Sequence, residues 1–242
     1  MNNIIFITGA SSDIGITLIK HLTDKCVIIA HYNSNNSKLL KLQKDSKNVI
    51  FPIKADFSDE KSIIKMLDKI EIEIGVPNKI IHLAAPKFEN LRFKNVNWRD
   101  FQNEINVSLG SITKILNRFL PKMAVEKRGR VITILSSVVL GAPPKALTQY
   151  TTVKYALLGL MKALAIEYAS KKITINCVSP SMIETQFLSK INERVVEFTA
   201  QSHPLKRNAT VYDIIPTILL LISDDADYIN GANIPITGGI NF

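Results

Sequence analysis

The sequence is poor in cysteine and has no long hydrophobic run, and each shortage excludes a class of protein. Only 2 of its 242 residues are cysteine, Cys26 and Cys177, so a disulfide-stabilised extracellular fold is excluded. We expect both to be buried free thiols of a cytoplasmic protein. No apolar stretch approaches the roughly 20 residues of a membrane-spanning helix, so no membrane association is expected. The first residues enter a predicted strand directly, so we expect no signal peptide.

Metal-ligand patterns and nucleic-acid motifs are missing as well. The histidines are His21, His31, His82 and His203, and their spacing does not match a metal site, so no metal is predicted. The net charge is +9, which invites a nucleic-acid interpretation. The basic residues are scattered without interleaved aromatic residues, however, and solvated lysine-rich helix faces explain the charge better. We therefore expect no nucleic-acid partner, although anionic substrates or acidic protein partners would also suit a basic surface.

Short apolar runs alternate with segments of helical periodicity along the chain. We predict strands at residues 3–8, 26–31, 48–54, 79–84, 130–136, 173–178 and 232–236. We predict helices at residues 14–23, 36–45, 59–73, 97–127 with a break, 148–169 and 210–222. This alternation favours an α/β fold, a Rossmann-type doubly wound parallel sheet with helices on both faces. A chain of 242 residues suffices for a single domain, residues 1–242, with one large core.

Three residues in the second half of the chain suit proton transfer to or from a carbonyl oxygen. Tyr150 and Lys154 share a helix face, because residues i and i+4 are neighbours there. Ser137 closes an apolar run thirteen residues before the tyrosine. A nearby cation favours the phenolate, so we expect Lys154 to lower a tyrosine pKa that is otherwise about 10. Tyr168 and Lys172 have the same spacing without such a serine, and we interpret them as a surface pair.

A glycine-containing turn follows the first predicted strand. The turn reads Thr8-Gly9-Ala10-Ser11-Ser12-Asp13-Ile14-Gly15. A strand, a glycine turn and a helix start form a phosphate-binding geometry, because glycine admits the phosphate to the backbone and helix N–H groups receive its charge. With two glycines instead of three, an ordinary strand-to-helix turn is an equally good interpretation of this segment alone.

Taken together, these features resemble the short-chain dehydrogenase/reductases over nearly the whole chain. The turn at 8–15 is similar to the family's Thr-Gly-x-x-x-Gly-x-Gly motif, with Asp13 in place of the middle glycine. The resemblance implies a catalytic group that consists of Asn106, Ser137, Tyr150 and Lys154. In this group the tyrosine transfers the proton, the serine positions the oxygen, and the asparagine holds a proton-relay water.

The resemblance also implies which residues contact a dinucleotide cofactor. They follow the predicted strands, and they are Gly9, Ser11, Ser12, Asp13, Ile14, Gly15, Asn33, Ser34, Asp56, Phe57, Ala84, Ala85, Pro180, Ile183 and Thr185, together with Tyr150 and Lys154. His82 and Leu83 stand where the family usually has two asparagines, and Ser181 replaces a glycine. Residues 181–208 correspond to the family's substrate-side lid.

The end of the second predicted strand decides which cofactor we expect. NAD-preferring sites place an acid there to bind the ribose hydroxyls, whereas residues 30–38 contain none. Asn33 and Ser34 could donate hydrogen bonds to a 2′-phosphate, and Lys38 could supply charge. Ser12 is neutral where many NADP-dependent relatives carry a basic residue. We expect NADP(H) to be favoured, with NAD(H) as the alternative.

The family resemblance implies reduction of a ketone to a secondary alcohol, or the reverse, and the closest similarity is to 3-oxoacyl-[acyl-carrier-protein] reductases. Basic residues could receive an acidic carrier protein, and a lysine-rich surface explains them equally well: Lys127, Arg128, Arg130, Lys171 and Lys172. Sugars, steroid-like molecules and small secondary alcohols stay open as substrates. The alternative is a cofactor-sensing regulatory protein of the same fold without turnover.

The predicted helix over 148–169 is apolar nearly all round after Lys154. A helix on a sheet normally shows a polar face opposite its apolar stripe. The small residues Ala156, Gly159 and Ala163 would let a partner helix approach closely. We therefore expect a symmetric homo-oligomer, a dimer or tetramer, with this helix buried against its copy.

Overall fold

A single seven-stranded sheet forms the centre of the molecule. The computed structural model describes residues 3–87, 90–189 and 191–240. Its strands are β1 Ile4–Thr8, β2 Val27–Tyr32, β3 Val49–Lys54, β4 Lys79–His82, β5 Gly129–Ile134, β6 Ile173–Pro180 and β7 Asn233–Ile236. They pair in the order β3-β2-β1-β4-β5-β6-β7, and each neighbouring pair is parallel.

Helices cover both faces of this sheet. They are α1 Asp13–His21, α2 Ser37–Asp45, α3 Glu60–Glu73, α4 Trp98–Glu104, α5 Ser111–Val125, α6 Thr148–Tyr168, α7 Glu193–Ser202 and α8 Val211–Ile222. In the part of the chain that is described, no helix combines the length and the apolar character needed to cross a membrane.

The period-two alternation of β1 divides the core into two layers. Ile4 and Phe6 belong to the cluster that contains buried residues of α3, α5 and α6. Ile5 and Ile7 belong to the cluster with α1, α2 and α8. All five residues of β1 are buried, as expected for a parallel strand with helices on both sides. The predicted doubly wound α/β fold is confirmed.

The strand order reverses direction beside β1, and this reversal positions the functional site. β1 pairs with β2 on one side and with β4 on the other, so the connections leave the sheet in opposite directions. In doubly wound sheets a crevice forms at the carboxyl ends of the strands at this point. Thr8 and His82 end the two strands side by side in the register.

The helix expected at 97–127 breaks in an unusual way. α4 ends at Glu104, a π-helical turn covers Ile105–Gly110, and α5 begins at Ser111. π-helical turns are rare and occur frequently at functional sites. The sequence pattern also missed α7, which lies inside the segment 181–208.

Candidate active site

The glycine turn after β1 has the geometry of a phosphate-binding turn. Gly9 has a left-handed φ of +65°, and a Cβ atom placed there would lie 3.0 Å from the Ala84 backbone nitrogen. A Cβ at Gly15 would lie 2.5 Å from the Ala10 carbonyl oxygen, so only glycine fits. The Ser12 hydroxyl caps α1 by accepting a hydrogen bond from the Gly15 N–H at 3.2 Å. A helix that starts this close to a strand end favours a bound anion.

His31 holds the glycine turn through a hydrogen bond with its backbone. Its Nδ1 accepts a hydrogen bond from the Gly9 N–H at 3.0 Å, and its Nε2 donates to the Ala55 carbonyl at 3.1 Å. The ring stacks on Phe57 with centroids 3.9 Å apart. Burial lowers the pKa of His31 to about 4, so the imidazole is neutral at pH 7 in the tautomer that both bonds require. Phe57, which we predict to contact the cofactor, has a buried side chain that packs on this histidine.

A second buried histidine, His82, ends β4 and stands where the family usually has an asparagine. The Thr8 hydroxyl lies 2.8 Å from His82 Nδ1, and it accepts hydrogen bonds from the N–H groups of Leu83 and Ala84, each at 3.2 Å. His82 Nε2 lies 2.9 Å from the Ser108 carbonyl, to which it donates when the ring is neutral. Burial lowers the pKa of His82 to about 3, which keeps that neutral form. The network fixes the strand end against the π-helical turn.

Asp13 connects three parts of the site. Its carboxylate accepts hydrogen bonds from Lys38 Nζ at 2.8 Å and from the Gln186 N–H at 2.9 Å. Burial raises the pKa of Asp13, but these two partners outweigh burial and hold it below its ordinary value. Asp13 therefore ties the glycine turn to α2 and to the segment 181–208, while Ser12 does the capping.

The remaining cofactor candidates surround the carboxyl edge of the sheet. Asn33 and Ser34 are exposed directly after β2, and Asp56 is exposed after β3, where it accepts two hydrogen bonds from Ser58. Half-buried candidates are Ser11, Ile14, Ala84, Ala85 and Thr185. Pro180 ends β6, and Ile183 is buried in the core, where it bridges to Ala209. Ile183 can therefore offer its backbone to a ligand more readily than its side chain.

Tyr150 and Lys154 lie together at the start of α6. Lys154 Nζ lies 5.5 Å from the centroid of the Tyr150 ring and donates a hydrogen bond to the Ile134 carbonyl at 2.8 Å. Burial lowers the pKa of Lys154 to about 8, against the opposing effect of Glu104. Burial also raises the pKa of Tyr150 to about 12, and a hydrogen bond with Ser136 only partly offsets it. The expected lowering of the tyrosine pKa was wrong, because burial outweighs the hydrogen bond with Ser136.

The Ser136 hydroxyl is hydrogen-bonded to Tyr150, and Ser137, the serine that the sequence spacing predicts, is its neighbour in the chain. β5 ends at Ile134, and the Leu135 N–H continues the ladder to the Val178 carbonyl at 2.8 Å. Ser136 is still extended, whereas Ser137 begins a 3₁₀ turn. The two serines therefore differ in backbone conformation, and the hydrogen bond to the phenol belongs to Ser136.

Asn106 is the residue predicted to hold a proton-relay water. It lies in the π-helical turn with an exposed side chain. Two residues that the sequence pattern did not indicate, Glu104 and Ser108, have buried side chains here. Glu104 is 7% exposed and accepts a hydrogen bond from the Ser108 hydroxyl at 3.3 Å. Glu104 influences the pKa values of both Tyr150 and Lys154, so its carboxyl group lies within electrostatic reach of the pair.

Comparison with known proteins identifies the family. A sequence model of short-chain dehydrogenases, described as enoyl-(acyl carrier protein) reductase, matches residues 9–241. The chain belongs to the short-chain dehydrogenase/reductase family. It is therefore an NAD(P)(H)-dependent oxidoreductase that interconverts a ketone and a secondary alcohol, as the sequence predicted.

Several relatives of this short-chain dehydrogenase/reductase are 3-oxoacyl-[acyl-carrier-protein] reductases. The 3-oxoacyl-[acyl-carrier-protein] reductase FabG of Buchnera aphidicola subsp. Baizongia pistaciae is 31% identical over 97% of this chain and 95% of its own length. FabG of Pseudomonas aeruginosa is 30% identical over 97% of this chain and 95% of its own. The structure of a 3-oxoacyl (acyl-carrier-protein) reductase from Agrobacterium tumefaciens with NADP bound has a TM-score of 0.88 at 22% identity, covering 98% of this chain and 93% of that one.

Proposed function

We propose that the protein is an NADP(H)-preferring ketoreductase that acts on 3-oxoacyl thioesters. One observation carries the chemistry: Ser136, Tyr150 and Lys154 meet at the carboxyl edge of the sheet, where β4 separates β5 from the strand of the glycine turn. The substrate class rests on the similarity to 3-oxoacyl-[acyl-carrier-protein] reductases, which extends over 95% of their length.

Tyr150 is the proposed proton donor. Because burial raises its pKa to about 12, the phenol is protonated at neutral pH and can give its proton to a ketone oxygen. The Ser136 hydroxyl, hydrogen-bonded to the phenol, is placed to donate to the same oxygen as negative charge develops there. Both groups thus act on one atom of the substrate.

Lys154 stabilises the tyrosinate that remains after proton transfer. Its ammonium is held by the Ile134 carbonyl at 2.8 Å, so the cation stays beside the phenol. By family resemblance, Lys154 also holds the ribose next to the nicotinamide. When it is bound, the nicotinamide supplies the hydride for the carbonyl carbon.

The residues of the site fit a dinucleotide with a 2′-phosphate. The space that Gly9 and Gly15 leave beside neighbouring backbone suits a pyrophosphate. Residues 33–38, directly after β2, include no acidic residue. A 2′-phosphate would therefore meet the exposed Asn33 and Ser34 without repulsion from a carboxylate. Lys38 of α2 is ion-paired with Asp13 of the glycine turn at 2.8 Å.

The segment 181–208 is the proposed substrate-side lid. Its described part includes α7 and the 3₁₀ turn Gln186–Leu188, and Asp13 contacts the Gln186 N–H. The segment presents exposed apolar side chains, since Phe198 is 71% and Leu205 56% exposed. Such a surface suits the acyl chain of a thioester better than a sugar.

The basic residues that could receive an acidic carrier protein lie away from the candidate active site of their own chain. Arg130 is buried and forms ion pairs with Asp227 and Asp224, so it is not available to a partner. Lys127, Arg128, Lys171 and Lys172 lie at the amino ends of β5 and β6, opposite the edge that carries Ser136. We therefore expect small 3-oxoacyl thioesters to react without a carrier protein.

A homo-oligomer is proposed from the outer face of α6. Tyr155 and Ile166 are 46% and 83% exposed, and Ala156, Gly159 and Ala163 are exposed on the same face. Leu160, in contrast, packs against the core cluster and is unsuitable for testing assembly. The exposed small residues support close approach of a second copy.

We place the enzyme in the cytoplasm. Cys26 and Cys177 are buried free thiols, and burial raises their pKa values to about 11 and about 12. Neutral, buried thiols are unreactive and suit a reducing compartment.

The decisive experiment follows nicotinamide absorbance with purified protein, NADPH or NADH, and a panel of carbonyl compounds. The panel contains acetoacetyl thioesters of coenzyme A and of acyl carrier protein, cyclic ketones and sugars. We expect the highest kcat/KM for an acetoacetyl thioester with NADPH. A clear preference for a ketone that is not a thioester would overturn the substrate class. Tight NADPH binding without turnover of any carbonyl would favour the cofactor-sensing alternative.

Tyr150→Phe provides the matching loss-of-function test. It removes the proton donor, so we expect at least a ~100-fold loss of kcat with nearly unchanged NADPH affinity. Tyr168→Phe is the control, because Tyr168 ends α6 and Lys172 lies beyond it in a left-handed conformation with φ of 56°. Retention of most activity by Tyr150→Phe would refute the assignment.

A further inference from the structure

We infer that Asp13 opposes cofactor binding, because its carboxylate lies beside the position where the cofactor's pyrophosphate binds and occupies hydrogen-bond donors of two neighbouring elements. Asp13 stands where the family usually has a glycine, so this contact distinguishes the present chain from the family pattern. The role of the segment 181–208 as a substrate-side lid rests on the proposed function, whereas the contact and its effect on cofactor affinity do not.

The two oxygens of the Asp13 carboxylate bind different partners. Oδ1 accepts a hydrogen bond from Lys38 Nζ of α2 at 2.8 Å, and Oδ2 accepts one from the Gln186 N–H at 2.9 Å. Hydrogen bonds to an ionised carboxylate are stronger than those between neutral groups. Gln186 lies 173 residues further along the chain, so its bond joins the cofactor turn to a distant segment. We call these two bonds the Asp13 latch.

The proposed lid is also closed at its base by its own backbone. The Glu184 N–H donates to the Ala209 carbonyl at 2.9 Å, and the Ala209 N–H donates to the Met182 carbonyl at 3.0 Å. The Asp13 latch adds a separate attachment, at the start of the 3₁₀ turn Gln186–Leu188. Loss of the latch should therefore loosen this turn without releasing the base.

The first turn of α1 sets the position of the latch. Ser12 caps the helix through the Gly15 N–H, and the Ile16 N–H donates to the Ser12 carbonyl at 2.9 Å. The N–H groups of Asp13 and Ile14 precede that bond, and N–H groups at the start of a helix bind phosphate. A pyrophosphate on these groups would lie beside the Asp13 side chain, because the donor N–H and the carboxylate belong to one residue.

Two anions at one helix start repel each other. Burial raises the pKa of Asp13, but its bonds to Lys38 and Gln186 hold it below the ordinary value, so the carboxylate is charged at pH 7. Pyrophosphate oxygens are negative as well, and they would accept hydrogen bonds from the same ammonium and the same N–H. Cofactor binding must therefore open the latch or keep two anions side by side, and a glycine at this position would impose neither condition.

Two substitutions remove the charge of the latch. Asp13→Ala removes the side chain and keeps a good helix former in α1, whereas Asp13→Asn keeps the size and an acceptor for the Gln186 N–H. We expect the dissociation constants of NADPH and NADH to be at least about fivefold lower in both variants, because both cofactors contain the pyrophosphate that the carboxylate repels. Asp45→Asn, at the exposed end of α2, makes the same change of charge elsewhere and should leave both constants unchanged.

Affinity and hydrogen exchange are both measured without substrate. Nicotinamide fluorescence gives the dissociation constants, and NMR follows amide exchange in the protein without cofactor. The Gln186 amide should exchange faster in Asp13→Ala than in the unmodified protein, while the Glu184 and Ala209 amides at the base keep their protection. Circular dichroism establishes that each variant is folded, and the affinities of Asp13→Asn decide the question if Asp13→Ala does not fold.

Tighter cofactor binding together with faster exchange at Gln186 supports the inference. Unchanged or weaker cofactor binding in a folded Asp13 variant overturns it, and so does unchanged exchange at Gln186 in folded Asp13→Ala. If no carbonyl compound is reduced, the proposed function fails while affinity and exchange still decide the inference. If turnover is normal and neither variant binds the cofactor more tightly, the inference alone fails.

Discussion

Replacement of Ser136 by alanine tests the geometry of the active site at a resolution of one residue. The hydroxyl of Ser136 is hydrogen-bonded to Tyr150 and also accepts a bond from the Val138 N–H at 3.4 Å. Ser137, the next residue, begins the 3₁₀ turn and is half-buried. Ser136→Ala and Ser137→Ala therefore remove the same atoms from adjacent positions, and each variant is the control of the other.

The expected magnitudes differ strongly. If the Ser136 hydroxyl donates to the developing oxyanion, its loss should lower kcat about 10²–10³-fold, or about 3–4 kcal/mol of transition-state stabilisation. The long bond to Val138 contributes to stability only as a weak cap, so Ser136→Ala should destabilise the fold by about 1 kcal/mol or less. Ser137→Ala should change kcat less than about threefold, because the proposed oxyanion donor is Ser136, whose hydroxyl is hydrogen-bonded to the phenol.

The assay is steady-state reduction of an acetoacetyl thioester with NADPH, combined with urea unfolding of both variants. Loss of kcat in Ser136→Ala with an intact fold and unchanged NADPH affinity is the expected pattern. The reasoning fails if Ser137→Ala loses the activity and Ser136→Ala keeps it, because the 3₁₀ turn would then have to begin one residue later.

Three further predictions concern the cofactor, the assembly and acid stability. Asn33→Asp should shift the ratio of dissociation constants toward NADH, since a carboxylate at this exposed position would repel a 2′-phosphate; an unmodified protein that already prefers NADH contradicts the cofactor proposal. Gly159→Glu should dissociate the oligomer in light scattering without harming the fold, because a Cβ atom there meets nothing within 4 Å in the protomer, and an unchanged mass would argue against α6 as the interface. His31 and His82 have pKa values of about 4 and about 3 in the folded chain, below the ordinary value of about 6.5, so the unfolded chain binds more protons as pH falls below 6.5. Stability should therefore fall by about 2 kcal/mol per histidine between pH 7 and pH 5, and equal urea midpoints at both values would contradict this.

The sequence by itself determined the features that depend on neighbours along the chain. Buried strands are short apolar runs in the sequence. Their alternation with helical segments predicted a parallel sheet with helices on both faces. Tyr150 and Lys154 came together because a helix places residues i and i+4 on one face. The glycine turn followed from backbone space, which Gly9 and Gly15 alone provide next to Ala84 and Ala10.

Tertiary packing decided the groups whose partners are distant in sequence. Ser136 and Ser137 are the same residue type and adjacent in the chain. The pairing of β5 with β6 fixes the backbone just before them, and it is Ser136 that is hydrogen-bonded to Tyr150. The break predicted within residues 97–127 gave no hint that a π-helical turn would expose Asn106 and bury Glu104.

The two buried histidines show the same division. Nothing local in the chain indicates that His31 accepts from the glycine turn 22 residues earlier. The bond between Thr8 and His82 spans 74 residues and exists because β1 and β4 are adjacent at the reversal of strand order. Short-range spacing fixes a helix face or a turn, whereas the protonation and orientation of a buried group depend on what the folded chain packs around it, and only the tertiary structure supplies that environment.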